Sequence, residues 1–311
     1  MMTKNLNNLS KTDIDIAGGK GASLGEMIKA KIPVPGGFVV LSTAFEKFLS
    51  ETDLNIKIES LLHKVNKQDI NSVDQVSNEI RDLILGADFP KNIAEEITKN
   101  FFKLKTKYVA VRSSATAEDS STASWAGELE SYLNTTKTSL LDNIKKCWAS
   151  LFTPRAIFYR FEKELHKTKI SVAVVVQEMI QSEISGICFT VHPVTKDRDQ
   201  IVIEAGYGLG EAIVGGMITP DTYVVHKIEK SILDKNISQQ EKMIVKYNDG
   251  NIEKSVPKPK QEKQKLDDKE ILKLSQICET IEKHYDTPQD IEWAFAKRKF
   301  YIVQSRPITT L

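Results

Sequence analysis

The chain has 311 residues, 41% of them hydrophobic, enough for one large core or two medium ones, and two lobes are expected. Lysine and arginine nearly cancel aspartate and glutamate, leaving a net charge of +1, which excludes global attraction to nucleic acid or an anionic membrane: any anion is bound locally. The three cysteines are far apart and lack CxxC or paired CxxH spacing, the amino terminus is polar, and the longest apolar run, "VAVVV", is far too short to span a bilayer, so a soluble cytoplasmic protein without disulfides or a zinc site is expected.

Along the chain, "AGGKGASLGEMIKAKIPVPGGFVVLS" predicts a glycine loop, a helix from about Ala22 to Lys31, a stop at Pro33 and Pro35, and a strand from Phe38. Glycines let backbone N–H groups approach an anion, and the following helix presents its positive end. A Walker motif would need Ser or Thr after Lys20, where Gly21 stands, so a tight turn with a solvated lysine remains the alternative to phosphate binding. "DINSVDQVSNEIRDLILG" and "FPKNIAEEITKNFFKL" have helical spacing of apolar residues, with Pro90 suited to the first turn of the second helix.

"KYVAVRSSATAED" reads as a strand carrying Arg112, followed by small, hydroxylic and acidic residues. A planar guanidinium suits phosphate oxygens through two parallel hydrogen bonds; a salt bridge with Glu118 or Asp119 fits this segment equally well. "SLLDNIKKCWASLFTPRAIFYRFEKEL" predicts two helices broken at Thr153 and Pro154, because proline cannot continue the hydrogen-bond ladder.

From Ser171 the texture changes to β-branched strands: "SVAVVVQEMI", "ISGICFTVHP", "DQIVIEAGYG", "DTYVVHKI" and "EKMIVKY". These announce the second lobe, and the boundary is set at 180/181. "GYGLGEAIVGG" is not a dinucleotide fingerprint, its glycines being spaced G-x-G-x-G. "SVPKPKQEKQKLDDKE" predicts a charged surface loop before a helix from about Asp268 to His284. The five histidines show no metal spacing and no nucleophile motif is present, so the chain looks equipped to hold a phosphate donor without a covalent acceptor of its own.

The last stretch, "DIEWAFAKRKFYIVQSRPITTL", repeats acids at Asp290 and Glu292 and then places Gln304 and Arg306 at the same spacing. Alternate strand residues share a face, so an antiparallel register opposing 292 to 304 and 290 to 306 would gather all four on one side, with a three-residue loop at "KRK" and with Trp293 and Val303 facing the core. Such a face offers oxygen ligands to magnesium and an arginine to a phosphate; a cross-strand salt bridge on a wet surface is the plainer reading.

Taken together, "GGKGASLGEM", "VPGGFVV", "VAVRSSATAEDSSTASWAGELESYLN", "VVVQEMI", "SGICFTVHP", "GYGLGEAIVGG" and "PQDIEWAF...YIVQSRP" resemble, in order and over nearly the whole chain, the amino-terminal nucleotide-binding domain of the phosphoenolpyruvate synthase, pyruvate phosphate dikinase and rifampicin phosphotransferase family. The resemblance implies an α+β, ATP-grasp fold with lobes 1–180 and 181–311 holding ATP between them. It implies that Lys20, Arg112 and Arg306 contact phosphates, that Gln177 lies beside adenine, and that Gly127 belongs to a glycine loop over the phosphates. Glu292 and Gln304 match the family's magnesium-binding pair, with Asp290 as a further candidate. The implied partner is a histidine-bearing phosphocarrier domain or subunit that passes the phosphoryl group to pyruvate. A rifampicin or phenol phosphotransferase part, or a non-catalytic nucleotide-binding module, is the alternative. The sequence departs from the family at Trp125, Glu128 and Ser131 in the glycine loop, where an acid beside phosphates would repel them. It also lacks the family's histidine and acceptor domains, so an incomplete phosphotransferase is expected.

Overall fold

The computed structural model describes residues 1–66, 68–116, 130–162, 171–248 and 250–309. Helices and antiparallel sheets alternate in blocks, an α+β architecture. The chain divides into two compact units, residues 1–26 with 36–179 and residues 27–35 with 180–311. No helix among the described residues is long and apolar enough to cross a membrane.

In the first unit β1 (Thr3–Asn5), β2 (Gly37–Val40), β3 (Val109–Ala115), β4 (Ser131–Thr135) and β5 (Val172–Glu178) form a five-stranded sheet in the order β1-β2-β5-β3-β4. The first strand after Ser171, β5, thus completes this sheet and not the second one. It is a run of buried valines because it lies between β2 and β3. Val109, Val111, Val172, Val174 and Val176 share one face and pack on a helical core.

That core is built by α2 (Ser42–Glu51), α3 (Leu54–Leu62), α4 (Ile70–Gly86), α5 (Lys91–Lys103), α6 (Leu140–Ala149) and α7 (Pro154–Glu162). Trp148 sits within it, its ring 4.9 Å from Phe48 and 5.2 Å from Phe89. The break between α6 and α7 falls at Thr153, which is extended. Pro90 occupies the cap position just before α5, one residue earlier than expected.

Helix α1 (Ile14–Lys29) departs from expectation: its helical run starts before the glycines, kinks at Gly18, where φ is 68°, and ends at Lys29. Lys31, at φ 60°, is left-handed, and the Ile32 N–H donates to the Met27 carbonyl at 3.0 Å, so the chain leaves the helix ahead of the prolines.

In the second unit β6 (Ile184–Phe189), β7 (Gln200–Tyr207), β8 (Asp221–His226), β9 (Ser231–Asn236), β12 (Gln289–Ala296) and β13 (Lys299–Pro307) make a six-stranded antiparallel sheet ordered β13-β12-β6-β7-β8-β9. The short α8 (Glu211–Val214) precedes β8, and β10 (Lys242–Tyr247) pairs with β11 (Gly250–Ser255). Ile302 N–H donates to the Pro33 carbonyl at 2.8 Å, which ties residues 27–35 to this unit.

The charged segment expected as a surface loop contains α9 (Lys258–Gln261) and a side chain with no exposure at all. The Lys265 ammonium donates to Asp221 Oδ1 at 2.8 Å and to the Ser238 carbonyl at 2.6 Å, while Asp221 Oδ2 accepts from Tyr223 Oη at 2.7 Å and from the Lys265 N–H at 2.9 Å. A buried charge persists only when paired and hydrogen-bonded, and here the partners come from β8, from Ser238 and from the segment carrying Lys265.

Helix α10 (Asp268–Tyr285) begins with a capping box: Asp267 Oδ1 accepts from the Glu270 N–H at 2.8 Å and Glu270 Oε2 from the Asp267 N–H at 3.0 Å. It touches β7, β8, β9 and β12. Ile271, Leu274, Cys278 and Ile281 of this helix are buried, as are Cys188, Ile203, Tyr223, Ile291 and Trp293 on alternate positions of the strands. Burying each such apolar side chain contributes roughly 1.5–3 kcal/mol, so α10 decides which face of the sheet is closed.

Candidate functional site

In the first unit Arg112, Ser114 and Gln177 lie on the sheet face opposite the helical core. On β3, Ala110, Arg112 and Ser114 alternate with buried Val109, Val111 and Ser113; Ala110 pairs with Gln177, and Arg112 with Val175. Arg112 and Gln177 therefore share a face, Arg112 half-buried and Gln177 buried. The segment of α1 bearing Lys20 is fastened to that same face. Ser114 Oγ donates to the Ala17 carbonyl at 2.9 Å and accepts from the Gly21 N–H at 3.3 Å, while a Cβ on Gly21 would stand 3.0 Å from Val39 Cγ2. The glycines of "GGKGAS" thus serve close approach of helix to strand, and Lys20 is half-buried.

In the second unit the last hairpin has the anticipated register at its functional end: Glu292 opposes Gln304, and Asp290 opposes Arg306. Its tip differs. Lys297 and Arg298 both have left-handed φ, 51° and 61°, and form a two-residue turn between Ala296 and Lys299, so Trp293 faces Ile302, not Val303. A bulge between Glu292 and Trp293 absorbs the extra residue. Ile302 is fully buried and Val303 half-buried, so the bulge keeps the core side apolar while leaving the carboxylate end in step. Two-residue hairpins of this twist favour left-handed residues even where Gly and Asn are missing.

Arg306 grips Asp290: its Nε and Nη2 donate to Asp290 Oδ2 at 2.9 and 2.7 Å. Burial, opposed by the Arg306 guanidinium, raises the Asp290 carboxyl above its ordinary range, and the neighbouring Glu292 charge pushes the same way. Continuing across the sheet, Glu292 opposes Ile187 on β6, which opposes Glu204 on β7. Glu204 therefore projects from the same face as Asp290 and Glu292. Its carboxyl is raised by burial and then by the charge of Asp290.

Glu204 and Ser114 were not singled out from the sequence. The signal for Glu204 was present, a lone acid inside the apolar strand "QIVIEA", but its neighbours come from strands far along the chain. Gly127, with Glu118, Asp119, Trp125 and Glu128, lies outside the described residues. Among the described residues no group of three or more His, Cys, Asp or Glu side chains is set to hold a metal ion.

The face of the first unit carries Arg112 beside Gln177, that of the second carries Arg306 paired with Asp290 among carboxylates, and residues 14–311 match the family described as pyruvate phosphate dikinase, AMP/ATP-binding domain. The chain belongs to this family. Among similar proteins, a probable phosphoenolpyruvate synthase of Archaeoglobus fulgidus is 46% identical over 98% of this chain and 41% of its own length. Another, of Methanocaldococcus jannaschii, is 46% identical over 98% of this chain and 26% of its own length. A rifampicin phosphotransferase of Bacillus subtilis is 38% identical over 98% of this chain and 36% of its own length. The chain thus spans less than half the length of these curated relatives.

Proposed function

We propose that the chain is the ATP-binding part of a phosphoenolpyruvate synthase-like phosphotransferase, a pyruvate, water dikinase-like enzyme of the cytoplasm, with an ATP-grasp fold in lobes 1–180 and 181–311. The observation that carries this reading is the register that sets Glu292 against Gln304 and Asp290 against Arg306, in a chain matching an AMP/ATP-binding family.

In this reading Lys20, Arg112 and Arg306 bind and orient the phosphates, and Gln177 holds adenine. The role that the family resemblance implies for Gly127, over the phosphates, falls on a residue outside those described. Phosphoryl transfer asks little covalent chemistry of the protein, so catalysis is positioning and charge neutralisation. Magnesium usually takes one or two carboxylates and completes its oxygen shell with phosphates and water, and Glu292 with Gln304 offers one carboxylate and one amide oxygen side by side. When bound, magnesium would neutralise phosphate charge.

The two terminal phosphoryl groups leave ATP, one passing to a histidine on a further swivelling domain for delivery to pyruvate and the other released to water as inorganic phosphate or passed to a second acceptor, and AMP is the nucleotide product. The test is to mix the chain with Mg-ATP and a histidine-bearing partner module and to assay phosphohistidine and AMP. Both are expected; absence of both with a competent partner overturns the proposal. The similarity to the B. subtilis protein supports a second reading, a rifampicin phosphotransferase part. Supplying a rifamycin-accepting module in the same assay separates the two.

A further inference from the structure

The Asp290–Arg306 pair raises a question that the proposed nucleotide site leaves open. The sequence offers Asp290 as a third magnesium ligand, yet in the folded chain this carboxylate is engaged by a guanidinium. Both bonds fall on one oxygen, Oδ2, and come from one edge of the arginine, Nε and Nη2. The Asp290 side chain is 14% exposed and that of Arg306 is 38% exposed, so the anchor is the more enclosed partner.

Asp290 is itself held rigidly. It pairs with Arg306 on β13 and with Phe189 on β6, so its strand has a neighbour on either side. Gripping two of the five guanidinium N–H groups fixes the plane of the group, and a fixed plane is what bidentate phosphate recognition needs. A cation approaching Asp290 would have to displace or face this arginine, whereas Glu292 stands opposite the neutral Gln304.

We infer that Asp290 is a positioning residue for Arg306, orienting its guanidinium toward the nucleotide phosphates, and is not a magnesium ligand. The inference rests on the proposed reading of Arg306 as a phosphate-binding residue. The two roles differ in whether the effect of Asp290 survives removal of magnesium, and in whether it passes entirely through Arg306.

The experiment is calorimetric titration of ATP into the full chain, in EDTA and over a series of magnesium concentrations up to saturation, for the wild type, Asp290→Asn, Asp290→Ala, Arg306→Ala and the double Asp290→Ala/Arg306→Ala variant. Loss of one charge-assisted orienting contact predicts that Asp290→Ala binds ATP about tenfold more weakly in EDTA. Asp290→Asn, which keeps an acceptor oxygen of the same reach, recovers most of that loss and needs no more magnesium than the wild type. The double variant binds as Arg306→Ala does. Should Asp290→Ala not fold, Asp290→Asn with its unchanged magnesium requirement carries the test. Unchanged or tighter ATP binding by Asp290→Ala in EDTA, an increased magnesium requirement of Asp290→Asn, or additive losses in the double variant would overturn the inference while leaving the nucleotide site in place. A wild-type chain that binds no ATP in either buffer would overturn both.

Discussion

Gly18 rests against Ser114 so closely that no side chain fits between them: a Cβ on Gly18 would lie 2.2 Å from Ser114 Oγ and 2.3 Å from its carbonyl oxygen. The φ of Gly18, 68°, disfavours any other residue. Gly18→Ala is therefore expected to lose roughly 1–3 kcal/mol from backbone conformation, with further loss from the clash. Ser114→Ala, which removes the hydroxyl joining β3 to Ala17 and Gly21, is expected to lose about 0.5–1.5 kcal/mol. Urea unfolding measures both, and a Gly18→Ala midpoint no lower than that of Ser114→Ala would refute the close fit.

At the nucleotide site, Lys20→Ala and Glu292→Ala are expected to fold normally and to bind Mg-ATP more weakly, each by about 1.5–3 kcal/mol if a charge-assisted contact is lost. Lys20→Ala should weaken ATP with or without magnesium; Glu292→Ala should remove chiefly the increment that magnesium adds. Circular dichroism controls the fold, and calorimetry showing unchanged affinity in both variants would refute the site.

The buried Lys265–Asp221 pair predicts an asymmetry. Lys265→Met leaves Asp221 without its cation inside the second unit, and Asp221→Asn leaves the ammonium uncompensated, so each is expected to cost about 3–5 kcal/mol. Since the groups are in contact, the double variant Asp221→Asn/Lys265→Met should lose clearly less than the sum. Denaturant unfolding of the four proteins measures the coupling, and simple additivity would show the pair to be independent.

Glu204 should make stability fall as the pH rises. Its folded carboxyl is raised by burial and by Asp290 above the ordinary value of 4.5, so between the unfolded and folded values the native state holds the extra proton. The stabilisation from protonation is complete below 4.5 and is lost as the pH climbs through the raised value. Glu204→Gln in EDTA is thus expected to raise the Tm at pH 7 and to bring little change at pH 4. Thermal melts across this range check the sign; a variant less stable at pH 7 would show that the carboxylate has a favourable partner.

Much of this was legible because the relevant physics is local. The apolar spacing in residues 70–86 and 91–103 announced α4 and α5, and a β-branched run announced β5. Strand parity put Asp290 with Glu292 and Gln304 with Arg306, each pair on one face of its strand, and the structure supplies the register, 292 against 304, that gathers the four. The tip of that hairpin departs from the expected three-residue loop because Lys297 and Arg298 take left-handed φ without Gly or Asn, and because a bulge changes parity partway along. Strand β9, polar and largely exposed at the sheet edge, carries no alternation that would reveal it.

Local sequence thus dictated most of the helices and strands, the family motifs and the side that each residue pair of the final hairpin shares, all of which depend on residues a few positions apart. Long-range packing chose the rest. Glu204 joins the carboxylates because β6 inserts between β7 and β12. Lys265 is interior because Asp221, Tyr223 and Ser238 converge on it. The glycines near Lys20 turned out to seat a helix on β3. Such partnerships are set by which apolar faces are buried together, and that sum runs over the whole unit, so no short window of sequence contains it.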